Sequence, residues 1–208
     1  MKDRYAQIQF IAANYLRLQG LRMVPIGLLV LFTGIWNNSR QGDLSGPILS
    51  FVGIAALYWL IDLYYNQVFG RVTPTPAQHK VELIVSITFS ILAILSFVLD
   101  SAKILPISML GVTLAGALAV DFWQATRSVR GEAFALFPEM LVSAIVIFIV
   151  SILPIFGITW WEAFGFKAQV EGMLAFDGIV LIVAGMWGHL RIRRNLSAGE
   201  AKSNDIAL

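Results

Sequence analysis

The sequence predicts an all-α polytopic membrane protein: six transmembrane helices in one bundle, with both termini cytoplasmic. Three observations carry that prediction. Hydrophobic residues make up 58% of the 208 and charged residues only 13%, with a mean hydropathy of +0.76; a soluble domain carries about 25% charged residues. Six apolar runs lie at roughly 23–39, 46–66, 82–99, 104–123, 138–159 and 173–190, each reaching the ~17 residues that cross a hydrocarbon core about 30 Å thick. Twelve of the fifteen Lys and Arg residues fall on one side of the alternation these runs define.

The charge bias sets the orientation, because cytoplasmic flanks of membrane helices are enriched in Lys and Arg. The inner set is Lys2, Arg4, Arg17 and Arg22 before span one, Arg71 and Lys80 between two and three, Arg127 and Arg130 between four and five, and Arg191, Arg193, Arg194 and Lys202 after span six. Arg40, Lys103 and Lys167 form the outer set. Aromatic residues agree, with Trp36, Trp160 and Trp161 at outer ends and Tyr64, Tyr65, Trp123 and Trp187 at or near inner ends. This arrangement places the chain in a plasma (inner) membrane. It also accounts for the net charge of +2 without nucleic acid as a partner. Zero Cys removes disulfides, thiolate metal sites and Cys nucleophiles together.

The chain divides into three parts. Residues 1–20 place Tyr5, Ile8, Ile11, Ala12, Tyr15 and Leu16 at helical spacing, the pattern of an amphipathic helix or elbow on the inner leaflet or of a cytoplasmic extension of span one. They lack the continuous apolar core of a cleavable signal peptide. Residues 21–195 form the six-helix domain, and the small polar tail 196–208 is expected to be a disordered cytoplasmic segment. Thr73-Pro74-Thr75-Pro76 reads as an extended connector. The aromatic and charged mixture from Trp160 to Gly172 reads as a short helix or re-entrant piece in the outer interface. Pro25 and Pro154 fall inside spans one and five, where prolines kink helices.

Acidic residues sort by the helix dipole. Glu82 and Glu139 fall in the first turns of spans three and five, where the N-terminal dipole stabilises negative charge by about 0.3–1 kcal/mol. Asp62 and Asp121 fall near helix C-termini, where it does the reverse, so each requires a cation, water or a proton. Asp62 belongs to a stripe of Ala55, Tyr58, Trp59, Tyr65 and Asn66 on one helix face. Arg22, Arg71, Arg127 and Arg191 lie at a matching depth, so the stripe is either a structural ion pair or a cytoplasm-facing polar pocket. Asp177 is the deepest acid of the outer half. A helix starting at Gly178 makes Asp177 its N-cap, whereas one starting near Glu171 buries it and makes it a site candidate. Asp62, Tyr65, Asp121 and Asp177 are therefore the candidate polar or ion site. Gly111, Ala115 and Ala119 on span four, and Ala184 with Gly188 on span six, recur every four residues and read as helix-packing positions.

Chemistry of other kinds leaves no trace in the chain. There is no G-x-x-x-x-G-K-[ST] or G-x-G-x-x-G loop, and neither His79 nor His189 lies in H-E-x-x-H. Ser108 and His189 fall at opposite ends of their spans, too far apart for a hydrogen-bonded catalytic pair. No catalytic residue, cofactor or metal is assigned. In plan, six spans behind an amphipathic lead-in, the chain resembles the membrane subunits of ABC-type exporters, and in size it is similar to the substrate-binding subunits of vitamin importers. That likeness of architecture rests on no motif, and it implies an ATPase partner subunit. The functional expectation is a small transporter or the membrane subunit of a transport complex, whose partners are the lipid bilayer and a membrane or ATPase subunit or a second copy. The alternatives are a non-transporting membrane partner or sensor and, third, a lipid-acting membrane enzyme.

Overall fold

The computed structural model describes residues 20–40, 45–68, 76–128 and 138–204. Among these residues there are helices and turns and no strand. A 3₁₀ turn, Gly20–Arg22, leads into α1 (Met23–Ser39). Then come α2 (Ser45–Val68), α3 (Pro76–Ser101) and α4 (Met109–Ser128). The chain ends with α5 (Pro138–Ile152), continued by a 3₁₀ turn Leu153–Phe156, the short α6 (Trp160–Ala163) and the long α7 (Gln169–Asn204).

Among the described residues, five stretches are long and apolar enough to cross a membrane: Gly20–Ser39, Ile48–Gln67, His79–Ser101, Pro138–Phe156 and Gln169–Arg191. The sixth apolar helix, Met109–Gln124 within α4, is shorter. Its expected first turn is absent because Ile104 to Ser108 form a non-helical turn, and the helix starts only at Met109.

In a bilayer, apolar side chains gain little from one another that lipid does not already give, so helices associate by close approach of small residues. The sequence supplies glycine at seven-residue spacing on two helices: Gly20, Gly27 and Gly34 at the front of the chain, Gly178 and Gly185 on α7. A repeat of seven keeps a seam on one helix face, drifting only ~20° per repeat. A Cβ on Gly27 would lie 2.7 Å from the Gly178 carbonyl oxygen, and a Cβ on Gly178 would lie 2.6 Å from that of Gly27. Gly20 meets the Gly185 carbonyl in the same way, at 2.6 Å, and Gly34 meets the Ala175 amide at 2.7 Å. The register runs from Gly20 against Gly185 to Gly34 against Ala175, so α1 and α7 are antiparallel with their backbones in contact.

A second close approach joins α4 to α5 and α7. Gly111 leaves room for the Ser151 hydroxyl and the Met173 methyl, which a Cβ there would meet at 2.1 and 2.4 Å. Below it Ala115, Leu118, Ala144, Ile147 and Leu181 form the buried core. The helix α2 packs on α1, and α3 packs on α4. Their remaining faces, with Leu49, Phe51, Val52, Ile94 and Leu95, are exposed.

Several sequence expectations are corrected. Asp177 is not an N-cap: α7 is continuous from Gln169, and Asp177 lies more than two turns inside it. The helix starts earlier because Glu171 caps it, its Oε2 accepting from the Ala168 amide at 3.2 Å. Pro76 opens α3, so Glu82 belongs to its second turn. Neither Pro25 nor Pro154 kinks a helix. Pro25 lies in the first turn of α1, where backbone N–H groups lack partners anyway, and Pro154 sits in the 3₁₀ turn that ends α5. That turn closes on Gly157 at φ 73°, a left-handed conformation suited to glycine. The tail expected to be disordered is helical as far as Asn204, a stretch with Ala198, Glu200, Ala201 and Lys202 as good helix formers. Residues 1–19, including the amphipathic segment, lie outside the described residues, as do residues 69–75 with Arg71 and Pro74 of the connector.

The seam yields a direct test. Gly27→Val drives side-chain atoms into the α7 backbone and should lower the unfolding midpoint in detergent, at a cost of about 1–3 kcal/mol or more. Gly53→Val should leave it unchanged, because a Cβ at Gly53 meets nothing within 4 Å. Equal midpoints for the two variants would refute the seam.

Candidate functional site

Polar groups collect at the two ends of the bundle. At one end the Arg22 guanidinium pairs with the Asp62 carboxylate and lies over the Tyr58 ring, 5.7 Å from its centroid. Asn66, one turn on from Asp62, donates its amide to Asp62 Oδ2 at 3.1 Å. Tyr58, Asp62 and Tyr65 of the stripe along α2 are thus turned toward the start of α1, whereas Ala55 and Trp59 are exposed. Tyr65, 1% exposed, accepts from the Leu21 amide at 3.2 Å and meets His189 Nδ1 at 3.1 Å. Both contacts are satisfied when the phenol donates its own proton to Nδ1. Close by, Arg191 donates to the buried Glu139 Oε1 at 2.7 Å. Glu139 is at the N-terminus of α5, so both the dipole and Arg191 stabilise it.

The other end is organised by Asp100 at the close of α3. Its Oδ1 accepts from the Met109 amide at 2.7 Å, and its Oδ2 from the Leu110 amide at 3.0 Å and the Ser108 hydroxyl at 2.8 Å. Ser108 in turn accepts from the Gly111 amide at 3.3 Å. Three of the four N–H groups that begin α4 are therefore capped, two of them by a carboxylate from the preceding helix. The turn that allows this carries Lys103 at φ 52°. Ser108 also ties α4 to α5, its amide donating to the Ser151 carbonyl at 3.0 Å. Asn38 holds the far connector to α1, accepting from the Lys167 amide at 2.9 Å and donating to the Gly165 carbonyl at 3.1 Å.

Between the ends lies Asp177, 1% exposed, with no hydrogen-bond partner for either oxygen among the described residues. It is about 12 Å along α7 from Gln169, at 1.5 Å per residue. Met173, Asp177 and Leu181 are four apart and share one face. Met173 reaches Gly111, and Leu181 belongs to the core of α4 and α5, so that face looks into the α4–α5 groove. Asp177 also lies close enough to Asp100 for the two carboxylates to interact electrostatically. A buried carboxylate without a partner is costly in a bilayer unless a proton or cation neutralises it.

The candidate residues thus fall in three places. Asp62 and Tyr65 stand together at the Arg22 end, each with satisfied partners. Asp121 is half-buried on α4 and engaged in a polar interaction of its own. Asp177 is apart from all three. Gly111 and Ala115 are buried in the bundle, but Ala119 is exposed and Leu118 takes the place its spacing predicts. The small-residue face of α4 is consequently occupied from within. Ser108 and His189 lie at opposite ends of α5, whose span from Glu139 to Ser151 is about 18 Å, and the Ser108 hydroxyl is committed to Asp100.

Sequence reasoning missed Asp100 and the glycine seam. Asp100 follows the apolar run of span three at its C-terminal end, so the dipole rule that singled out Asp62 and Asp121 applies to it as well. The seven-residue glycine spacing is visible in the chain, but only when the first and last helices are compared.

Among the described residues the fold is all-helical, and its five long apolar helices are those of a multi-pass membrane protein by length and composition. No protein-family model, curated protein or solved structure matches the chain.

Asp100→Ala leaves two amides and a hydroxyl without acceptors in a buried site and should cost ~2 kcal/mol or more in denaturant unfolding. Asp62→Asn, at a partly exposed ion pair, should cost only ~0–1 kcal/mol. The reverse order of the two losses would contradict the capping role of Asp100.

Proposed function

We propose that this chain is a small transporter, or the membrane subunit of a transport complex, in a plasma membrane, with six spans and both termini in the cytoplasm. The observation that carries the reading is Asp177. Every other buried acid described above has a cation or backbone donors, so its presence is accounted for by structure. Among the described residues Asp177 has neither. A group that costs stability and makes no structural bond is the kind retained for binding.

Six spans follow if Met109–Gln124 crosses together with the turn before it, and the twelve-to-three distribution of Lys and Arg then puts the Arg22–Asp62 and Arg191–Glu139 pairs at the cytoplasmic face. Asp62, Tyr65, His189, Glu139 and Arg191 serve as a closed inner gate: ion pairs and hydrogen bonds between α1, α2, α5 and α7 that must separate for a solute to pass inward.

Two measurements test this. Proteoliposomes offered a panel of radiolabelled amino acids, sugars and monovalent cations should take up at least one above empty vesicles, and Asp177→Asn should lose that uptake while remaining folded. Uptake by Asp177→Asn equal to wild type would remove Asp177 from the mechanism. For orientation, the chain has no native Cys. An impermeant thiol reagent should label Ser39→Cys on intact cells and Ser203→Cys only after permeabilisation; the opposite pattern would invert the topology.

A further inference from the structure

The ligand of Asp177 can be argued from the donor set around it. A metal ion bound deep in a protein takes several oxygen ligands at once. Among the described residues no group of three or more Asp, Glu or His side chains converges. Both oxygens of Asp100 are already taken by Met109, Leu110 and Ser108. The Ser151 hydroxyl is turned to the Ile147 carbonyl, to which it donates at 2.6 Å. The groove facing Asp177 adds Gly111, Ala115 and Ile147, which bring no side-chain oxygen. A dehydrated cation would find little beyond one carboxylate here.

A proton asks for less, since one O–H bond neutralises the carboxylate outright. The charged groups around Asp177 fit this. Asp100, at the end of α3, lies within electrostatic reach of it and is held in place by its three donors. Glu171, on the same helix, is turned to the Ala168 amide, and Lys103 in the turn after α3 is exposed. The facing residues of α4 and α5 are not ionisable.

We infer that Asp177 takes up and releases a proton, and that this proton is the coupling ion of the transport process, with Asp100 as the positioning residue whose charge faces it. The inference rests on the transport reading for its role, although the proton site itself does not require flux. In loading, an O–H bond forms on Asp177 as one breaks in hydronium, leaving water; unloading is the reverse. Movement between the two states requires Asp177 to meet water from one side at a time, and the α4–α5 groove is the wall that opens. The glycine seam with α1 holds the opposite wall fixed.

Infrared difference spectra of the whole protein in lipid vesicles, recorded between acidic and alkaline buffer, test the site directly. Wild type should show a protonated-carboxyl C=O band that appears in acid, shifts in D₂O and does not respond to added Na⁺. Asp177→Asn should lose the band, Asp177→Glu should restore it at a shifted frequency, and Asp100→Asn should keep it with a displaced pH midpoint. Loss of the same band in Asp177→Asn and not in Asp100→Asn separates this carboxyl from a general unfolding effect. Superimposable spectra for wild type and Asp177→Asn would overturn the inference, as would a band independent of pH or one abolished by Na⁺. With the band present and assigned to Asp177, an absence of solute uptake would count against transport and leave the proton site standing. Uptake lost in Asp177→Asn with no titrating band would retain transport and exclude the proton.

Discussion

The backbone contact between α1 and α7 is the constraint on which the other features depend. Side chains cannot intervene where Gly27 and Gly178 face each other's carbonyls, so the two helices are fixed in rotation as well as in distance. Rotation is what matters for Asp177. It precedes Gly178 by one residue, which is about 100° around the helix. With Gly178 pressed against α1, Asp177 is turned away from that seam and into the groove of α4 and α5. The same register brings Gly20 beside Gly185 and Gly188 at one end and Asn38 beside the α6–α7 connector at the other. One pattern of absent side chains thus positions the polar groups at both ends and the carboxylate between them.

Three acids in this bundle show three ways of keeping a carboxylate in an apolar setting. Asp62 is matched by a guanidinium and an amide. Asp100 is matched by a helix N-terminus, where backbone donors are both numerous and already desolvated, so capping α4 and satisfying the acid are a single event. Asp177 has no hydrogen-bond partner for either oxygen among the described residues. The first two hold helices together. On the transport reading proposed above, the third costs the core stability. On that reading, the contrast separates a structural acid from a functional one.

The apolar helices were legible because they depend on composition over many residues. Helix starts were less so. The start of α4 is set by Asp100 reaching across from α3, a contact no local window contains. The start of α7 is set by Glu171 and not by the Asp177-Gly178 pair, whose cap-and-breaker chemistry is overridden because Gly178 is needed in the seam with α1. Of the positions at four-residue spacing, Gly111 and Ala115 are buried, whereas at Ala119 the chain is exposed and Leu118 is buried in its stead. Asp62 could be read as needing a partner, but choosing Arg22 among four arginines required knowing that the turn Gly20–Arg22 folds against α2. The burial of Asp177 was one of two readings; only the continuity of α7 decides between them.

On the proposed reading, Asp177 is kept at the expense of stability. The most direct measurement is the equilibrium unfolding free energy of Asp177→Val against wild type, in the same mild detergent and at neutral pH. Replacing an unpaired buried carboxyl by an apolar side chain of similar size removes a desolvation cost of about 1–3 kcal/mol, so the variant should be more stable than wild type. A variant less stable than wild type, by the margin usual for a damaged core, would mean that Asp177 holds the bundle together and would contradict the functional assignment.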